Sequence, residues 1–257
     1  TVKRGRGWRA GADAHMFDPG QLVADWNGAL YVDLASQGSL PKAGPDATLE
    51  IRTLDGKLRE RAVNGSGRLH LSTDGVVDGT LDLASGGSTV KLVARPGASN
   101  NADLQLATSS LGDWLPNAGG RLDGHLRIGG LAPKLSINGQ LHGQSLSWQR
   151  QKADTLQLIV GIPDISQLAG KLDLEVGNAY LQGLLFQHID VLAEGSRADH
   201  RVTANARGSQ ISGELDLRGA LKGSNWNSTL SRLDLEPQGM PGWHLQQAVR
   251  LGYDDGR

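Results

Sequence analysis

Leucine alternates with polar residues along most of this chain, and the alternation recurs in one frame. Gly28-Ala29-Leu30-Tyr31-Val32-Asp33-Leu34 reads Gly-x-Leu-x-Val-x-Leu, and Gly120-Arg121-Leu122-Asp123-Gly124-His125-Leu126 repeats it with Gly at the centre. Shorter versions stand at Gly170-Lys171-Leu172-Asp173-Leu174 and Gly213-Glu214-Leu215-Asp216-Leu217. A period of two puts the leucines on one strand face and the charges on the other. The same spacing joins Leu49/Ile51, Leu69/Leu71, Leu81/Leu83, Leu104/Leu106, Leu135/Ile137 with Leu141, and Leu156/Leu158/Val160. Leu172/Leu174/Val176, Ile189/Val191, Val202/Ala204, Leu215/Leu217 and Leu233/Leu235 continue it. Between these runs, Asp55-Gly56, Asn64-Gly65, Asp74-Gly75, Asp78-Gly79 and Asn138-Gly139 have the composition of two-residue hairpin turns. Short turns join antiparallel neighbours, because parallel ones need a long crossover. The predicted class is all-β: a long, curled, antiparallel-rich sheet with one apolar face.

Three segments interrupt the alternation and predict short helical turns. Asp18 caps a stretch with Pro19 at its first helical position, running to Trp26; Ser110 to Pro116 is stopped by its proline; Pro163 to Leu168 begins with one. Each precedes a Gly-x-Leu strand. Their spacing is irregular, so the chain is no solenoid of fixed period. With no long linker or low-complexity stretch, residues 1–257 read as one continuous segment. Trp26 and Trp114, beside the helical turns, read as plugs at the ends of a thin core. Trp148, Trp226 and Trp243 fit plugs or a lining equally.

Composition narrows the chemistry. Aromatic residues make up only 4% of the chain and glycine contributes 36 of 257 residues, which argues against a densely packed catalytic core. A net charge of −1 provides no basic surface for nucleic acid. Without cysteine there is no disulfide and no thiolate metal site. No apolar run is long enough to span a bilayer as a helix, and no signal peptide is visible. The chain opens on Thr1 and is expected to be a piece of something longer. No two of the seven histidines stand at i,i+2 or i,i+4, so no local metal pair is predicted. Gly5-Arg6-Gly7-Trp8-Arg9-Ala10 lacks the strand and helix of a dinucleotide loop. Gly143-Gln144-Ser145-Leu146-Ser147 ends in Ser rather than the Gly of a nucleophile elbow. Asp33, Asp82, Asp173, Glu175 and Asp216 fall on the polar side of the alternation, as solvated residues rather than catalytic pairs. The basic residues Lys3, Arg4, Arg6 and Arg9 read as a polar strand end, with contact to an anionic membrane as the alternative. No enzyme activity, cofactor or metal is expected.

The stretch from Met16-Phe17-Asp18-Pro19 through Trp26-Asn27-Gly28-Ala29-Leu30 resembles the aspartate-proline turn and following strand of the AsmA-like superfamily. Leu111 to Gly130, followed by Leu131-Ala132-Pro133-Lys134-Leu135-Ser136-Ile137-Asn138-Gly139-Gln140-Leu141, is similar to the repeats of the TamB family. Asp199 to Ala204, Gly213 to Gly219, Trp226 and the closing Trp243-His244-Leu245 share that likeness, so it covers most of the chain. The resemblance implies an open hydrophobic trough, a β-taco. It implies a periplasmic segment of a protein anchored in the inner membrane, with the anchor and the region meeting the outer-membrane barrel partner TamA both outside this chain. The implied role is phospholipid transport between the two membranes, together with assembly of some outer-membrane β-barrel proteins.

Both readings converge on the apolar face. Strand parity selects Leu122, Leu126, Ile128, Leu135, Ile137, Leu141, Leu172, Leu174, Val176, Leu215 and Leu217 as its lining. The face either closes on itself as a packed core or stays open as a trough for acyl chains, which gain about 0.8 kcal/mol per buried methylene. A chaperone that pairs its sheet edges with nascent β-strands and a closed structural spacer are the competing expectations.

Overall fold

A computed structural model describes residues 7–41, 44–97, 101–131, 134–167 and 169–253. Lys3, Arg4, Arg6, Leu168 and the pair Ala132-Pro133 lie outside the described residues. The protein is all-β: seventeen strands and two short 3-10 turns make up its regular structure among the described residues. Two compact units divide it, one holding Thr1–Pro116 and Leu122–Leu135, the other Asn117–Arg121 and Ser136–Arg257.

The first unit contains β1 (Gly7–Phe17), β2 (Gly28–Ser39), β3 (Asp46–Leu58), β4 (Arg61–Leu71), β5 (Val77–Ser85), β6 (Ser88–Arg95), β7 (Asn101–Thr108) and most of β8 (Ala118–Leu131). Each pairs antiparallel with the next. In the second unit, most of β9 (Lys134–Trp148) is followed by β10 (Gln151–Asp164), β11 (Ala169–Leu181), β12 (Leu184–Gly195), β13 (His200–Gly208), β14 (Ile211–Lys222) and β15 (Asn225–Pro237). These too form an antiparallel meander. β15 then pairs with both β16 (Trp243–His244) and β17 (Val249–Tyr253) at different places along its length.

Every leucine pair predicted from parity lies in a strand. Where parity breaks, a bulge restores it. In β3, Ile51 and Leu54 are three apart, yet they face Leu34 and Val32 of β2, with the register slipping between Asp33 and Leu34. The extra residue bends the strand and keeps both side chains on the apolar side.

The glycine signals require correction. Asp74-Gly75 does form a turn, but Asp55-Gly56, Asn64-Gly65, Asp78-Gly79 and Asn138-Gly139 lie inside β3, β4, β5 and β9. Gly56 and Gly79 have φ of 134° and 123°, values that only glycine adopts without strain. A Cβ at Gly79 would sit 1.9 Å from the Arg68 carbonyl oxygen on the neighbouring strand. Asp55-Gly56 and Asp78-Gly79 mark close backbone approach, not reversal. The β3–β4 reversal instead uses Arg59 and Glu60, both with positive φ (49° and 63°), the pattern of a type I′ turn built without glycine.

Two of the three predicted helical turns form, as 3-10 turns at Pro19–Gln21 and Leu111–Asp113. The third does not. Pro163 and Asp164 end β10, and a hydrogen-bonded turn follows, in which the Gln167 N–H donates to the Asp164 carbonyl. All three share one local device. A side-chain oxygen accepts the amide two residues ahead: Asp18 from Gly20 at 2.9 Å, Ser110 from Gly112 at 3.2 Å and Asp164 from Ser166 at 2.9 Å.

Candidate functional site

In an antiparallel pair, residues directly opposite share a face, so the register can be followed across strands. In the second unit, Leu141 faces Leu158, which faces Leu174, then Val191, Ala204, Leu215 and Leu233. This row of apolar side chains crosses seven strands without a polar interruption. A parallel row runs Val160, Leu172, Ala193, Val202, Leu217, Leu230 and Val249. A third passes through Leu156, Val176, Ile189, Ala206, Gly213 and Leu235. Ile137 is paired with Ile162.

The first unit repeats the arrangement. Ile51, Gly67, Leu81, Leu92, Leu104 and Leu126 form one row. Ile128 stands opposite Ala102, and Leu122 opposite Thr108. Seven of the eleven positions chosen from parity fall into these rows: Leu141, Leu174 and Leu215 together, Leu172 and Leu217 together, Val176 in the next, and Leu126 in the first unit's row. All eleven are half-buried. Buried apolar residues are few among those described: Leu30, Val63, Ala94 and Ala179. The rows are thus apolar but only partly covered.

Two apolar recesses open on these faces. One of about 550 Å3 in the first unit is lined by Pro45, Leu71, Val77, Ala102, Ile128 and Leu135. Another of about 300 Å3 in the second unit is lined by Ile162, Leu172, Ala193, Val202 and Leu221, with Arg197 and His200 beside them. Trp226 closes one flank of that end, its indole Nε1 donating to His200 Nε2 at 3.1 Å. Trp26 and Trp114 are half-buried beside the 3-10 turns, whereas Trp148 and Trp243 are exposed.

The opposite face is charged. Across β13 to β15, Arg201 grips Asp216 with two hydrogen bonds of 3.0 and 2.6 Å, and Arg218 grips Asp199 at 2.7 and 2.5 Å. Arg232 bridges Glu214 and Asp234. Hydrogen bonds from these arginines hold the carboxyls of Asp199, Asp216 and Asp234 below the ordinary carboxylate value. The pairs are exposed, so they fix strand neighbours and keep that face in water rather than supplying much stability. Among the described residues, no group of three or more His, Asp and Glu converges as a metal site, and no helix is long and apolar enough to cross a membrane.

One cluster was not predicted from the sequence. Arg59, Arg61, Ser85, Ser88 and Asp113 come together at one rim of the first unit. Asp113 stands in the predicted helical stretch, and that stretch was the only signal. Its partners lie 25 to 54 residues away, beyond any local pattern.

Residues 3–256 match the family model described as TamB, N-terminal domain. No solved structure matches the chain.

Proposed function

Since the chain belongs to the TamB family, we propose that in the cell envelope it shields the acyl chains of phospholipids on the apolar face of its sheet and so carries them passively. The observation behind this reading is the set of uninterrupted apolar rows whose leucines are only partly buried. Burying such rows against hydrocarbon gains about 25 cal/mol per Å2. The protein's own described residues cover these rows only in part. The lining is almost uniform Leu, Ile, Val and Ala, so each methylene gains nearly the same wherever it lies. A chain sliding along the rows meets no deep minimum. Headgroups remain hydrated, and direction is set elsewhere. The reading assigns no catalytic residue, and it leaves pairing with a TamA-like outer-membrane barrel to regions other than these rows.

Native mass spectrometry with lipid extraction on the purified protein tests it. Wild type is expected to carry phospholipid. Leu174→Asp and Leu217→Arg, each placing a charge in a different row, are expected to lose it while keeping the β-sheet circular dichroism of wild type. Folded variants that retain full lipid loading would overturn the lining. A lipid-free wild type that instead captures unfolded outer-membrane barrel strands would favour the assembly role.

A further inference from the structure

The most deeply buried side chains of the first unit are mainly polar. Ser85, Ser88, Thr108 and Asp113 are 1, 0, 1 and 4% exposed, while the leucine rows are half-covered. The register accounts for this. Gly56 faces Val63, Val63 faces Ser85, and Ser85 faces Ser88, making the last inward row of β3 to β6 beside the Arg59-Glu60 turn. The segment joining β7 to β8 folds back over that row. Ser88 Oγ and Ser109 Oγ donate to one carboxylate oxygen of Asp113, and Arg61 Nε lies 2.8 Å from the other. Ser85 Oγ and Arg59 Nη2 donate to the Asp113 backbone carbonyl at 2.8 and 2.9 Å. The Arg59 guanidinium also lies 5.1 Å from the centre of the Trp26 ring, which ties the first 3-10 segment into the same knot.

This cluster has the composition of an anion site that the chain fills itself. The one carboxylate pairs with Arg61, Arg59 reaches only the backbone carbonyl of Asp113, and Glu60 between the two arginines is exposed. Positive charge is therefore in excess. Burial lowers the Arg59 pKa, the neighbouring Arg61 lowers it further, and Asp113 opposes both. Buried Arg59 Nε has no hydrogen-bond partner, and neither do Thr108 Oγ1 and Trp114 Nε1 of the same region. Buried donors of this kind normally find an acceptor. Leu22, Val23 and Leu115 of the two segments are exposed, while Leu111, Trp26 and Trp114 are half-buried, so the fully buried contacts that hold the β7–β8 segment down are the polar ones.

We propose that residues 109–117 form a latch, with the Asp113 carboxylate occupying an anion site that a phosphate group takes over when the latch opens. The purpose of the latch rests on the acyl-chain reading: the site lies at the strand ends that form the rim alongside the apolar rows, where a phosphorylated headgroup meets water. A phosphate carries more charge and more acceptor oxygens than a carboxylate, so Arg59, Arg61 and the hydroxyls of Ser85 and Ser88 suit it better.

Hydrogen exchange of residues 109–117 in the whole chain is the test, with three probes: lysophosphatidylglycerol below its micelle concentration, inorganic phosphate, and a neutral alkyl maltoside. The expected result is exchange faster by about tenfold with lysophosphatidylglycerol and unchanged with the maltoside. The same acceleration with inorganic phosphate alone supports the site and makes its ligand a free anion rather than a headgroup. Asp113→Asn is expected to bind inorganic phosphate about tenfold more tightly than wild type, because the competing charge is gone. Gly87→Cys with Ser109→Cys gives a second handle. A Cβ at Gly87 would lie 3.3 Å from Ser109 Cβ, close to disulfide spacing, and the chain has no other thiol. The oxidised pair should abolish the acceleration and reduction should restore it. If neither phosphate probe speeds exchange in wild type and Asp113→Asn binds phosphate no better, the proposal is overturned. Should the maltoside still bind in that case, the acyl-chain reading survives alone.

Discussion

A leucine and a glycine in this protein carry different kinds of information, and the sequence displays only the first openly. Leu174 is assigned to the apolar face by parity alone, and it stands opposite Leu158 and Val191 as that assignment requires. Gly79 is different. Asp78-Gly79 has the composition of a hairpin turn, yet it lies within β5, at φ 123°, where a Cβ would collide with the Arg68 carbonyl across the ladder. At the three Asp-Gly pairs read as turns, the signal reports that φ is positive, at Gly56, Gly75 and Gly79, and the chain reverses only at Asp74-Gly75. Gly79→Ala is therefore expected to destabilise by about 2–4 kcal/mol, combining forbidden backbone with steric conflict. Gly223→Ala is the fair comparison, since Gly223 also has positive φ (64°) but nothing near its Cβ position. It should cost about 1 kcal/mol. Urea midpoints of the two variants check the ordering. Equal losses would show that φ alone, and not the close approach of strands, governs these glycines.

Strands were legible and their ends were not. Alternation persists over enough residues to specify a strand, and a bulge such as that between Ile51 and Leu54 leaves the apolar side intact. The turns depend on one or two residues, and Arg59-Glu60 reverses the chain with nothing in its composition to announce it. The segments that interrupt the alternation were visible because Asp18 precedes Pro19 and because Pro116 and Pro163 bound the other two, of which the last forms only a turn. The knot that Asp113 ties was invisible, because it joins distant strands. On the charged face, β13, β14 and β15 are linked by arginine–carboxylate pairs in which the carboxyl pKa values lie below the ordinary 3.8. A carboxyl depressed in the folded state adds stability above its unfolded pKa and loses it as the pH falls through the folded value. The pairs should accordingly be intact from neutral pH down to about 4 and fail below it. Hydrogen exchange in β13 to β15, corrected for intrinsic rates, is expected to accelerate between pH 4 and 2 more than in β5 to β7. The pairs are exposed, so molar salt should reduce the difference. Exchange that accelerates equally in both groups of strands would show that the arginine pairs do not hold this edge.

For the molecule as a whole, the decisive quantity is surface. The chain exposes 16321 Å2. A globular protein of 27.2 kDa exposes about 11,000 Å2, and even two separate globules of half that mass would expose about 13,000 Å2 together. Parity in the sequence establishes that a face is apolar, but whether another layer covers it is a property of the completed fold, which is why the sequence left core and trough as alternatives. A protein with so few buried apolar side chains gains unusually from an apolar occupant. A ligand that binds only the native state stabilises it by about 2.7 kcal/mol at a hundred times its dissociation constant. For a chain of this size that is a rise in Tm of roughly 5–10 °C. Delipidated protein should therefore melt higher with a single-tailed phospholipid held below its micelle concentration, and Leu174→Asp or Leu217→Arg should shrink the shift. The headgroup without its tail, glycerophosphoglycerol, separates the contributions. It should raise Tm by no more than a small fraction of that amount, because it buries no methylene on the rows. A headgroup shift as large as that of the intact lipid would mean that binding is polar, and the rows would then need some other cover.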